Sequence, residues 1–105
     1  MNKIRVADLP EFDLADQLRT EDDIAAYLTL VLDEGDADEL AHALGVAARA
    51  RGMGEVSRAA GVTREALYRA LRPGAHPRFD TIARVCSALG VKLVAQARHT
   101  AGADR

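Results

Sequence analysis

Apolar positions recur with a helical period along most of the 105-residue chain. Ile24, Tyr27, Leu28, Val31 and Leu32 fall at i, i+3, i+4, i+7 and i+8, which is one stripe of an α-helix. Thr20 and Asp23 have the spacing of a capping box at its start, and Glu21, Asp22 and Asp23 put negative charge where the helix dipole is positive. Gly35 stops it. Asp36 stands three residues before Glu39, a second capping pattern, and opens a helix to about Arg51 whose inward stripe reads Leu40, Leu44, Ala47 and Ala48. Three helix-length pieces follow: Gly54 to Ala60, Arg64 to Leu71, and Phe79 to Leu89. Gly61, the Pro73-Gly74 pair with Pro77, and Gly90 separate them. Upstream, Asp13 has the side chain to cap a short helix through Arg19.

The two ends follow a different period. Lys3, Ile4, Arg5 and Val6 alternate ahead of Leu9-Pro10, which fits a short strand or a frayed terminus. Val91, Leu93, Ala95 and Ala97 alternate with Lys92, Gln96 and Arg98 as a strand would, and a single strand needs a partner. That makes 91–97 a candidate dimer contact. The predicted fold is all-α, with about five to six helices and room for a short terminal β-strand. No repeat or long linker divides it. Its expected parts are an acidic segment, 1–35, packed on the domain, a core, 36–97, and a disordered tail, 98–105.

Composition narrows the function classes. With 49% apolar residues but only four aromatics, Phe12, Tyr27, Tyr68 and Phe79, the core must be aliphatic and thinly filled, so oligomerisation is an expected source of further burial. The single cysteine, Cys86, can form neither an internal disulfide nor a thiolate cage, and it shares a stripe with Ile82, Val85 and Leu89, where thiols pack as small hydrophobes. His42, His76 and His99 have no second ligand at helical spacing. Gly52-Met53-Gly54 lacks both the preceding strand and the third glycine of a dinucleotide fingerprint. Asp22 and Asp23 lie on an exposed first turn, away from any pocket that acid–base chemistry would need. These patterns predict no metal, no cofactor and no enzyme. The apolar stretches are shorter than the ~20 residues that cross a bilayer, and no leader opens the chain, so a cytoplasmic protein without membrane partners is expected.

Charge adds more. The formal net charge is −2, but residues 1–39 hold twelve of the sixteen acids against Lys3, Arg5 and Arg19, a balance of −9. Residues 40–105 hold eleven of the fourteen basic side chains against Glu55, Glu65, Asp80 and Asp104, a balance of +7. Such a division predicts one surface for a polyanion and another for a basic protein.

The basic half contains the most specific motif, Met53 to Leu71, which reads as a helix-turn-helix. Ser57, Ala59 and Ala60 are the small residues that two crossing helices need, Gly61 suits the left-handed end of the first helix, and Thr63 can cap the second. Val62 would enter the core. Leu67, Ala70 and Leu71 would dock the second helix and leave Arg64, Glu65, Tyr68 and Arg69 outward. On a recognition helix those four, with Thr63 fixing register, are the candidate base-reading residues: Arg64 or Arg69 to guanine, Glu65 to a cytosine amine. Arg49, Arg51, Arg58, Arg72 and Arg78 are candidate phosphate contacts, with Arg84 and His76 nearby.

Asp36 through Leu93 resembles the probable addiction-module antidote proteins, HigA-like antitoxins of type II toxin–antitoxin pairs. The resemblance rests on Tyr27-Leu28, Ala43-Leu44-Gly45, Ala48 to Met53, Gly61 to Tyr68, Phe79-Asp80-Thr81 and Ala88 to Leu93, with Phe12-Asp13 upstream. The chain departs from the family with Gly54 in place of a serine cap, Ser57 in place of an alanine at the helix crossing, and His76 in place of asparagine before Pro77. The resemblance implies a bacterial Cro/repressor-like domain that forms a homodimer, binds a palindromic double-stranded operator and pairs with a basic RelE/HigB-like toxin that cleaves messenger RNA. The acidic turn Glu21, Asp22 and Asp23 is then the candidate toxin contact. A stand-alone phage-type repressor and a protein-interaction module with a non-DNA-binding helix-turn-helix are the alternatives.

Overall fold

Six helices follow one another through residues 11–98, the part of the chain that the computed structural model describes: α1 (Glu11–Gln17), α2 (Glu21–Glu34), α3 (Ala37–Arg51), α4 (Met53–Ala60), α5 (Arg64–Leu71) and α6 (Phe79–Ala88). The fold is all-α, and among the described residues there is no strand. The alternating stretch at Lys3 to Val6 and most of the expected tail lie outside the described residues.

α2 starts as its sequence dictates. The Thr20 hydroxyl accepts from the Asp23 amide at 3.1 Å, and the Asp23 carboxylate accepts from the Thr20 amide at 3.0 Å, closing the capping box. The same carboxylate also accepts from the Arg19 amide at 3.0 Å, and these two backbone donors hold the Asp23 carboxyl below the usual aspartate range. Gly35, left-handed, ends the helix. Asp36 caps α3, though by accepting from the Asp38 amide at 3.0 Å rather than through a reciprocal box; Glu39 instead faces His42 at 3.6 Å. α1 already begins at Glu11, which places Asp13 within the helix rather than ahead of it, and that helix ends at Gln17 rather than Arg19.

α3 is the centre of the molecule and packs against all five other helices. The one-sided stripe expected for it is too narrow: Ala41, Ala43, Leu44, Val46, Ala47 and Ala48 are all buried, so the helix is enclosed on more than one face. Its small side chains permit this. A Cβ on Gly45 would lie 3.4 Å from the Leu71 carbonyl oxygen, which places the end of α5 directly on the α3 backbone. Around α3 the core collects Ile24, Tyr27, Leu28 and Val31 from α2, Val56 from α4, Leu67 and Leu71 from α5, and Val85, Cys86 and Leu89 at α6. Burial pushes the Cys86 thiol pKa up, as expected of a packing residue. Leu32, counted on the buried stripe of α2, is instead 48% exposed, because 91–98 runs beside that end of the helix without closing over it. The 91–98 segment itself is extended but pairs with nothing as a strand among the described residues.

The acidic start of α2 is tied to the basic half through Glu21. Glu21 meets Arg51, at the end of α3, at 3.3 Å, and its own first-turn amide and that guanidinium keep its carboxyl below the ordinary glutamate range. Gly90 closes the other side: its φ is +82°, and a Cβ there would come within 2.6 Å of Glu21 Cγ. Gly90→Ala should therefore destabilise by about 1–2 kcal/mol from the left-handed backbone alone, and further as Glu21 is displaced. In a Glu21→Ala background only the backbone part should remain, a difference that denaturant titration of the four proteins reads directly. The lowered Asp23 pKa fixes a sign as well: its contribution is complete above the ordinary aspartate range and lost as pH falls through the lowered value. The stability gap between wild type and Asp23→Ala should thus be constant near neutrality and shrink on acidification below about pH 4, measured by thermal melts across pH.

Candidate nucleic-acid interface

α4 and α5 are joined by three residues, Gly61 to Thr63, in a helix-turn-helix. Gly61 has φ +75°, the left-handed geometry that lets the chain leave α4, and the Val62 amide returns to the Ser57 carbonyl at 3.0 Å. Val62 is half-buried against the core, and Thr63 caps α5 by accepting from the Ala66 amide at 3.0 Å. Ser57 and Ala60 are buried at the helix crossing as expected, whereas Ala59 faces solvent. The Ser57 hydroxyl satisfies itself within α4 by donating to the Gly54 carbonyl at 2.9 Å, so a polar group stands where the crossing is tight without losing a hydrogen bond.

α5 separates its two faces cleanly. Leu67 and Leu71 are buried, and Ala70 packs half-buried beside them. Thr63, Arg64, Glu65, Tyr68 and Arg69 are all exposed. Arg64 and Tyr68, one turn apart, stack: the guanidinium carbon is 5.9 Å from the ring centroid, an ordering contact that spacing alone does not reveal. Glu65, Tyr68, Arg69 and Arg72 form one shallow open surface. Such a surface offers guanidinium donors, a carboxylate acceptor and an aromatic face on a projecting helix, the set that base edges in a major groove require.

The five flanking arginines have different surroundings. Arg58 lies exposed on α4, and Arg72 exposed just past α5. A side chain at Gly54 would meet Arg58 Nη1 at 3.6 Å and Arg64 Cδ at 4.0 Å, so the bare glycine leaves the start of α4 open between two arginines, and the Gly52 cap supplies no side-chain acceptor there. The sequence signal for this was the departure from a serine cap. Arg49 is exposed near the end of α3. Arg51 is turned to Glu21, and Arg78 donates to Asp80 at 3.2 Å, which lowers the Asp80 pKa. His76 lies in the loop after α5, 4.0 Å from Asp38. That loop opens with a Pro73-Gly74 turn closed by the Ala75 amide on the Arg72 carbonyl at 3.0 Å. Of the acidic turn, Asp22 is exposed, while Glu21 and Asp23 are engaged within the fold.

These features define an all-helical domain that presents a helix-turn-helix on its basic side. Residues 8–97 match the family model described as "Probable addiction module antidote protein", and the chain belongs to that family. It is an antitoxin family by name, which implies a toxin partner. An uncharacterized protein of Haemophilus influenzae is 40% identical over 88 residues, covering 84% of this chain and 91% of its own length. No solved structure matches the chain. Among the described residues, no helix is long and apolar enough to cross a membrane.

The Ser57 position tests the crossing. Ser57→Ala should change stability by less than about 0.5 kcal/mol, since the deleted hydroxyl served a helix carbonyl, whereas Ser57→Leu should cost about 1–3 kcal/mol by overpacking. Denaturant unfolding of both variants measures the contrast.

Proposed function

We propose that this antitoxin is a dimeric autorepressor of the HigA-like, Cro/repressor type that reads operator DNA through α5 and neutralises a basic, RelE-like mRNA-cleaving toxin by direct binding in the bacterial cytoplasm. The observation that carries the DNA reading is the face of α5, where Arg64, Glu65, Tyr68 and Arg69 project together while Leu67 and Leu71, with Ala70 half-buried beside them, hold the helix to the core. In this reading Thr63 sets the register, and Arg64 and Arg69 reach guanine, with Arg64 held ready by its stack on Tyr68. Arg58, Arg72 and Arg49 take phosphates. Beside Arg58 and Arg72, Arg51 and Arg78 contribute less, because each already faces a carboxylate. Toxin neutralisation falls to the acidic side, where Asp22 is exposed on α2 beside Glu21 and Asp23. A basic nuclease surface complements it, and the operator face stays free.

The test is a gel-shift titration against the duplex upstream of the gene and a scrambled duplex, at two salt concentrations. Preferential binding that persists at the higher salt supports the autorepressor; equal binding that disappears with salt leaves electrostatics alone and overturns it. Arg64→Ala should abolish the preference for the upstream duplex yet leave toxin neutralisation intact. Arg72→Ala should weaken binding to both duplexes alike and lower the salt slope by about one.

A further inference from the structure

Past α6 the chain turns at Gly90 and runs extended along α2. The Val91 amide still donates to the Cys86 carbonyl at 3.0 Å, but among the described residues no backbone hydrogen bond reaches 92–98. A row of unpaired amides and carbonyls on an extended segment is a template for another strand. The segment and α2 also enclose a groove of about 560 Å³. Its α2 wall is apolar along Ala25, Leu28, Thr29 and Leu32, since the Thr29 hydroxyl donates to the Ala25 carbonyl at 2.8 Å, and it ends on the Asp33 carboxylate. Leu93 is 36% exposed on the rim, and Val94, the one large apolar side chain in the Lys92, Gln96 and Arg98 register, is 75% exposed.

We propose that residues 91–98 pair antiparallel with the same segment of a second copy, on a two-fold axis at Val94, to form the dimer. The register follows from side-chain chemistry. Directly opposed residues in an antiparallel pair lie on the same face, so only a register that opposes odd to odd and even to even sets apolar against apolar. Centred on Val94, it pairs Val91 with Ala97, Leu93 with Ala95, Lys92 with Gln96, and Val94 with itself. Centred on Ala95, it would oppose Lys92 to Arg98, a like-charge pair. The Val94 register avoids that repulsion and explains why an exposed valine interrupts a polar series: the symmetry axis covers it with its own copy. Asp33 at the groove supplies a carboxylate for the incoming Lys92 or Arg98. The other alternating stretch of the chain is a poorer partner, since sharing the apolar face of Val91 and Leu93 with Ile4 and Val6 would set Lys3 and Arg5 on the face of Lys92 and Arg98.

The proposal deepens the dimeric reading of function, and its test uses neither DNA nor toxin, so it can fail while operator binding stands, or the reverse. Sedimentation of the full chain should give twice its 11.3 kDa mass at tens of micromolar. Val94→Asp, which sets two carboxylates against each other at the axis, should shift it to monomer with an unchanged helical circular dichroism spectrum. On the axis the two Val94 Cα atoms lie about 4.5–5.5 Å apart, within disulfide range. Val94→Cys should therefore cross-link to a covalent dimer under diamide. Gln96→Cys should not, because its symmetry mate is about four residues, or ~14 Å, away. Wild type, with Cys86 buried, is the control. A monomeric wild type overturns the proposal. So does a dimer that survives Val94→Asp, or one that cross-links through position 96 rather than 94.

Discussion

Everything in this fold depends on how closely five helices can approach α3. A central helix carrying large side chains on every face would hold its neighbours apart, and a short chain with few aromatics has nothing to fill the gaps. Ala41, Ala43, Gly45, Ala47 and Ala48 remove that obstacle, leaving Leu44 and Val46 as the bulky groups buried along its length. A close approach is made at Gly45, where the Leu71 carbonyl at the end of α5 comes to the α3 backbone. α5 is thus anchored at its C-terminal end by backbone proximity and along its inner face by Leu67 and Leu71. Its outer face is released from any structural duty. The exposure of Arg64, Glu65, Tyr68 and Arg69 is a consequence of that anchoring, and so the small residues of α3, which touch no partner, set the geometry of the surface that would.

The charge division puts opposite charges in contact inside the fold. The acidic and basic parts of a small domain must meet, and one place where they do is Glu21, held between Arg51 and the backbone at Gly90. This contact joins the first turn of α2 to the ends of α3 and α6, and opposite dipole ends are brought together where opposite side-chain charges also lie. It also turns Arg51 away from the cations exposed around α4 and α5. The basic surface is therefore smaller than a count of arginines suggests and more concentrated around α4 and α5.

Local signals in the chain were read well where a single turn of backbone decides the outcome. Thr20 with Asp23, Gly35, Gly61 and Thr63 all act at the positions their chemistry specifies, because caps and left-handed turns depend on atoms within four residues. The α5 boundaries and its two faces were legible for the same reason. Asp13 misled, since a capping residue is informative only if the helix does not begin before it. Ala59 misled because smallness fits a helix crossing and a solvent face equally well. Leu32 misled because periodicity counts positions on a stripe but does not say where the covering layer ends.

The helical stripes, the caps of α2 and α5, the helix-turn-helix and the identity of the residues on its outer face were legible in the chain, because they follow from periods of 3.6 residues and from side chains bonding to nearby backbone. Packing between distant segments sets which charges already face a partner, that Arg64 stacks on Tyr68, that α3 is enclosed, and that 91–98, without a strand partner among the described residues, borders a groove of mixed polarity. Those outcomes turn on distances between atoms far apart in the chain. Glu21 and Arg51 are thirty residues apart and Glu21 and Gly90 sixty-nine. No local rule relates such positions, and only the packing of six helices around α3 does.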